Sequence, residues 1–241
     1  MLGPAERPVA RRFAPRESGR RRETSAVPDA ESSVARGMQS LLARRDAELA
    51  AGASGVGWKI GFNTPAIQAH FGIAEAVVGY LVDSGVVEPG ATTSLAGWVS
   101  PAVEVELAVR VGDDGEVAGL GPALELVDLD ISFDDIEPVL AGNICHRAVV
   151  FGDEVPGADP WSLRATVTKD GSVVARDGRL TEDPVTTVAF VRRFLGDHGA
   201  SLEPGERIIA GSVLPPVSVA PGDALEVSFG PLGELRIAFS E

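Results

Sequence analysis

Residues 101–109, PAVEVELAV, decide how the rest of the chain is read. Side chains alternate faces along a strand, so Val103, Val105, Leu107 and Val109 take one side while Glu104 and Glu106 share the other. A strand of this kind is either half solvated, as one face of an antiparallel sheet is, or it carries chemistry on its acidic face. A second acidic strand lies close by. In PALELVDL, residues 122–129, the positions Ala123, Glu125, Val127 and Leu129 share one face. Glu125 is thus a lone charge among apolar neighbours, costly to bury unless something pairs with it.

A divalent cation would do so. Three carboxylates on neighbouring strands make a hard oxygen site suited to Mg²⁺ or Mn²⁺, with positions left for water or substrate. Histidines or thiols would point to zinc instead. Spacing alone leaves the matter open, because E-x-E is common and nothing in the sequence makes the two strands adjacent.

Outward from these strands the pattern is β-rich. GVGWKIGF reads as a strand before a short helix opened by Thr64-Pro65, and HRAVVFG, WSLRATVTKDGSVVARDG and GDALEVSFGPLGELRIAF read as strands and hairpins. The glycines and aspartates of GDDGEVAGLGP mark turns. Helices are expected over residues 32–49, from Ser132 with Asp135 towards Pro138 or Gly142, and from Asp183-Pro184 to Gly196 or Gly199. No βαβ rhythm and no fixed-period repeat appear, which predicts a β-rich α+β fold.

The chain has 241 residues and a formal charge of -14, which disfavours nucleic acid or an anionic membrane surface as partner and favours a small molecule. A single cysteine, Cys145, excludes an intramolecular disulfide and a thiolate cluster, and a cytoplasmic location is the expectation. Residues 1–24 hold seven arginines against three glutamates, interrupted by Pro4, Pro8 and Pro15. That start reads as a disordered arm over residues 1–30, with a transit peptide as the alternative, leaving residues 31–241 as the catalytic domain.

Lys59 and Lys169 are the two lysines. Lys169 lies in the turn TKDGS. Lys59, between glycines in GVGWKIGF, is either an edge-strand lysine reaching solvent or an acid–base group tuned by burial and nearby charge. In AGSVLPPV, Gly211 and Ser212 offer a backbone N–H and a hydroxyl to a carboxylate, or simply form a loop. No G-x-S-x-G elbow, Rossmann fingerprint or P-loop is present, and His70, His146 and His198 are too scattered to suggest a triad.

Taken in order, GWKIGFNTPAIQAHFG, PAVEVELAV, ALELVDLDI, GNICHRAVVFG, LEPGERIIAGSVLPPVSVAPGD and LGELRIAF resemble the 2-keto-4-pentenoate hydratase and 4-oxalocrotonate decarboxylase branch of the fumarylacetoacetate hydrolase superfamily, over roughly residues 35–240. The resemblance implies a fold with a rolled mixed sheet and a Mg²⁺ or Mn²⁺ site in a homo-oligomer. By the same resemblance Glu104, Glu106 and Glu125 are the metal ligands and Lys59 the lysine beside the metal. Gly211 and Ser212 become the substrate-facing pair, and Asn143 borders the substrate. Two positions depart from the branch: Gly142 stands where an acid precedes the asparagine, and Ala210 where a threonine precedes the Gly-Ser pair.

The activity so implied is that of a lyase, hydratase or decarboxylase, acting on a small 2-oxo or 2-hydroxy-dienoic acid, as in meta-cleavage degradation of aromatics. An acylpyruvate-type C–C hydrolase and a non-catalytic small-acid-binding member are the alternatives. The hydrolase needs a histidine–acid pair, which the sequence does not display. With Gly142 replacing an acid, Arg147 or a protonated His146 is expected to draw a second carboxylate of the substrate, unless their alternation along a strand leaves only one near the site.

Overall fold

The computed structural model describes residues 30–155 and 157–241. The expected arm lies outside the described residues except for Ala30. That residue begins α1 (Ala30–Ala50), which is followed by β1 (Gly55–Gly61), α2 (Pro65–Phe71), β2 (Val77–Val82), β3 (Val86–Val87), β4 (Thr92–Ser94), β5 (Pro101–Val111) and β6 (Val117–Asp128). Then come α3 (Ile136–Ala141), β7 (His146–Phe151), β8 (Ala165–Lys169), β9 (Ser172–Gly178), α4 (Pro184–Asp197), β10 (Arg207–Ile209), β11 (Val217–Ser218), β12 (Ala224–Ser228) and β13 (Glu234–Ser240).

The larger sheet runs in the order β2-β1-β10-β5-β6-β7-β3, with β11 also paired to β5, and the smaller runs β4-β13-β12-β8-β9. Both are mixed: β1 pairs with β10 in parallel, β3 with β7, and β4 with β13, while the other ladders are antiparallel. This is the β-rich α+β fold expected. No helix among the described residues is long and apolar enough to cross a membrane.

Helix boundaries follow local chemistry. Asp183 caps α4 by accepting from Val185 N–H at 2.8 Å, with Pro184 in the first turn. The cap of α3 is Asp135, whose carboxylate accepts from Glu137 N–H; Ser132 lies upstream of it, bonded to Asp134. Pro138 falls in the first turn of α3, where its missing N–H costs nothing, so the helix continues to Gly142.

Turn chemistry misleads at GLGP, residues 119–122. The segment is strand β6. A Cβ at Gly119 would lie 2.3 Å from the Glu154 carboxylate, and one at Gly121 would lie 3.0 Å from the Asp153 carbonyl. These glycines admit a chain crossing the sheet closely, which is the other reason glycine occurs in strands. Five short sequences carried no strand expectation: VVGYLV, Val86–Val87, Thr92–Ser94, Arg207–Ile209 and Val217–Ser218 form β2, β3, β4, β10 and β11.

One face of β5 and β6 joins the main core: Val103, Val105, Leu107, Val109, Leu124 and Leu126 pack with Met38 and Leu41 of α1 and with Val188 and Val191 of α4. On the opposite face Ala108, Ala123, Val149, Ile209 and Leu81 make a smaller cluster. The three glutamates lie on this second face.

Candidate active site

The β5–β6 register sets Glu104 opposite Glu125 and Glu106 opposite Ala123. Residues opposite each other in an antiparallel pair point to the same side, so Glu104, Glu106 and Glu125 converge. One carboxylate oxygen from each lies within 4.8 Å of the others. Adjacency of the two strands, which the spacing left open, is thereby supplied by a hairpin.

Lys59 reaches the same point from β1. Its Nζ donates to Glu125 Oε1 and to the Ile144 carbonyl, the latter at 3.0 Å. β1 lies three strand spacings from β6 in the sheet order, roughly 14 Å if the sheet were flat, and the two side chains could not meet over that span. The contact therefore requires the sheet to curl with its acidic face concave. Lys59 is fully buried, so the edge-strand alternative, a lysine reaching solvent, does not hold. Lys169, at the surface, pairs with Asp223 at 2.8 Å.

Room for Lys59 comes from a residue that sequence reasoning passed over. Gly79 of β2 lies beside Lys59 in the ladder, and a Cβ there would sit 3.0 Å from Lys59 Cγ and Cε and 2.6 Å from Asn143 Oδ1. A lone glycine inside an apolar strand was the available signal.

Asn143 does something other than border the substrate. Its Oδ1 accepts from Tyr80 N–H at 3.0 Å and its Nδ2 donates to the Tyr80 carbonyl at 2.9 Å, so the amide pairs with the backbone of the edge strand β2. Asn143, Ile144 and Cys145 all have left-handed backbone, with φ of 56°, 52° and 64°. Three such residues in succession are unfavourable without anchors, and the Asn143 clip is one anchor. The turn it holds presents the Ile144 carbonyl to Lys59.

His146 and Arg147 alternate on β7. His146 Nδ1 lies 2.8 Å from Glu125 Oε1, whereas Arg147 is exposed, bonds Asp128 at 3.2 Å and stacks over Trp98. Neither lines the cavity described below. Alternation along β7 thus leaves His146 at the carboxylate cluster and turns Arg147 outward, so neither stands on the cavity wall where it could meet a distal carboxylate. It also reveals a histidine–acid pair, His146–Glu125, that sequence separation concealed.

Gly211 N–H donates to Glu106 Oε2 at 2.8 Å. A Cβ on Gly211, whose φ is 94°, would collide with the Asn63 amide. The Ser212 hydroxyl donates to the Leu214 carbonyl at 2.7 Å and faces a cavity of about 450 Å³. Lys59, Glu104, Cys145 and Ser212 supply polar wall; Phe62, Ile67, Val127, Phe133, Val213 and Leu214 supply much of the apolar wall.

Electrostatically the carboxylates are in excess. Burial, then the neighbouring Glu125, pushes Glu104 up to about 7 against the pull of Lys59. Burial, Glu125 and Glu104 likewise push Glu106 well above the usual carboxylate range. Glu125 is also pushed up by burial, but Lys59 and His146 outweigh that and hold it below the usual range. Burial lowers Lys59, yet the three glutamates together keep it above its ordinary value.

A divalent cation fits this donor set. Glu106 Oε1 is buried with no hydrogen-bond partner among the described residues, and Glu104 faces the cavity. An all-oxygen set with converging, under-compensated charge suits a hard ion.

No protein-family model matches the chain. It is 28% identical over 204 residues to 4-oxalocrotonate decarboxylase of a Pseudomonas species, covering 78% of this chain and 79% of that protein. It is 26% identical over 235 residues to 2-keto-4-pentenoate hydratase of Paraburkholderia phymatum, covering 90% and 89%. The solved structure of 4-oxalocrotonate decarboxylase from Pseudomonas putida G7, complexed with magnesium and adipate, superposes with a TM-score of 0.78 at 23% identity over 86% of each chain. The ordered motifs and these similarities over most of the chain support the resemblance to the 2-keto-4-pentenoate hydratase and 4-oxalocrotonate decarboxylase branch of the fumarylacetoacetate hydrolase superfamily, and the superposition shows a shared fold.

Proposed function

We propose that the protein is a metal-dependent lyase acting on a small 2-hydroxy-dienoic or 2-oxo acid, with Glu104, Glu106 and Glu125 as ligands of Mg²⁺ or Mn²⁺ and Lys59 as the acid–base group. The observation that carries this reading is the meeting of three carboxylates and one buried lysine beside a ligand-sized cavity. When bound, the cation supplies Lewis-acid polarisation of the acid's 2-oxygen.

The chain's own groups do the rest. Lys59, held by Glu125 and the Ile144 carbonyl, is the only ammonium among the described residues lining the cavity, and it holds or moves a proton at the substrate. In a hydratase the 2-hydroxyl proton leaves and a proton arrives at C5, giving a 2-oxo-3-enoate. Water then adds at C4 and a proton at C3. The apolar wall excludes bulk water from the conjugated chain, and Gly211 N–H fixes Glu106.

The hydrolase alternative draws on the His146–Glu125 pair, but His146 does not line the cavity, so the lyase is the better-supported reading. All the candidate residues fall within 31–241, which supports that span as the catalytic unit, and removal of residues 1–28 is expected to leave turnover nearly unchanged. A homo-oligomer and a cytoplasmic location are kept as part of the proposal on the family resemblance. The deciding experiment is loss of dienol absorbance from 2-hydroxypenta-2,4-dienoate with Mg²⁺ present and after chelation. Undiminished activity after thorough chelation refutes the metal-dependent reading.

A further inference from the structure

Resting on the reading of this cavity as a 2-oxo acid site, we propose that it selects a monoacid whose end remote from the carboxylate is apolar, an alkyl- or aryl-terminated chain, over a diacid. Charge is confined to one end of the cavity. Among the described lining residues Lys59 and Glu104 are the charged side chains, and both belong to the reacting end. The rest of the described wall is neutral, and Phe62, Ile67, Phe133, Val213, Leu214 and Pro216 make it largely apolar.

The neutral polar groups do not substitute for a cation. The Ser212 hydroxyl is taken by the Leu214 carbonyl, and Asn63 and Thr64 carry no charge. The nearby basic residues are committed elsewhere: His146 contacts Glu125, His70 bonds the Phe133 carbonyl at 2.6 Å, and Arg147 is outside the cavity against Asp128 and Trp98. A remote carboxylate would leave water without a charged partner, whereas a methyl or phenyl group would gain by covering apolar wall.

Size permits the longer chain. At about 30 Å³ per water-sized group, the eight heavy atoms of a five-carbon 2-hydroxydienoate account for roughly 240 Å³. The cavity of about 450 Å³ leaves room for further carbon.

The test compares a matched pair, 2-oxohexanoate and 2-oxoadipate, which differ by a terminal methyl against a terminal carboxylate. Binding to the full-length protein with Mg²⁺ is measured by calorimetry. The monoacid is expected to bind at least tenfold more tightly. Ala66→Arg, at an exposed position of α2 on the cavity wall, should narrow that ratio at least tenfold by supplying the missing cation. Equal or tighter binding of 2-oxoadipate by the parent protein overturns the inference. So does a ratio that Ala66→Arg leaves unchanged, since the remote end would then lie elsewhere. A preserved monoacid preference with no turnover of any dienoate supports the cavity inference while refuting the proposed reaction.

Discussion

The two faces of the β5–β6 hairpin are built from the same residues in alternation, yet they obey opposite rules. On one face Val103, Val105, Leu107, Leu124 and Leu126 fill the main core, where each group is stabilised by leaving water. On the other, Glu104, Glu106 and Glu125 are brought within 4.8 Å of one another, an arrangement unfavourable to folding without a cation. The first face makes the sheet stable enough to hold the second in a strained electrostatic state. Stability and chemistry are thus separated by one residue along the strand.

The largest expected effect comes from breaking the acidic face. Glu106→Gln should lower Mg²⁺-dependent turnover by about a hundredfold or more, as loss of a ligand exceeds the typical effect of losing an outer partner. In chelator its melting temperature should stay level or rise, because a buried, under-compensated carboxylate is neutralised. A parallel fall in stability and activity would make Glu106 a structural residue.

Lys59→Met should lower turnover by about 10²–10⁴-fold while Mn²⁺ binding, read by paramagnetic relaxation, changes much less. Turnover equal to the parent's would return Lys59 to a purely structural role.

On the apolar face the expectation reverses. Leu124→Ala should cost about 2–5 kcal/mol of stability in a denaturant titration, with Mn²⁺ affinity retained under native conditions. Gly79→Ala bridges the two behaviours. Its new Cβ meets both Lys59 and Asn143, and it should cost about 1–3 kcal/mol and lower turnover besides. Loss of stability with unaltered turnover would show that Lys59 does not depend on that space.

The smallest effect is kinetic. Burial pushes the Cys145 thiol up to about 11, so it stays protonated at neutral pH although it lines the cavity. Iodoacetamide should label it slowly at pH 7.5, with the rate climbing towards pH 11. Rapid labelling at pH 7.5 would contradict the burial assigned to it.

Alternation in PAVEVELAV and PALELVDL was enough to assign Glu104, Glu106 and Glu125 to faces, because a strand's side-chain period is a local property of the backbone. Prolines and one cap located α2 and α4 for the same reason: Pro65 and Asp183-Pro184 act within one turn, while the Thr64 side chain makes no capping bond.

What the tertiary structure decided were the distances between residues far apart in the chain. Curling of the sheet brings Lys59 to Glu125 and β7 brings His146 to the same oxygen, and no local rule encodes either contact. Gly119, Gly121 and Gly79 looked like turn signals or nothing at all, because the reason for each glycine is a neighbouring segment that sequence does not show. Arg147 and Asn143 were read as substrate groups, yet Asp128 and the backbone of Tyr80 claim them. Periodicity assigns a side chain to a face, but packing of remote strands decides what stands opposite it.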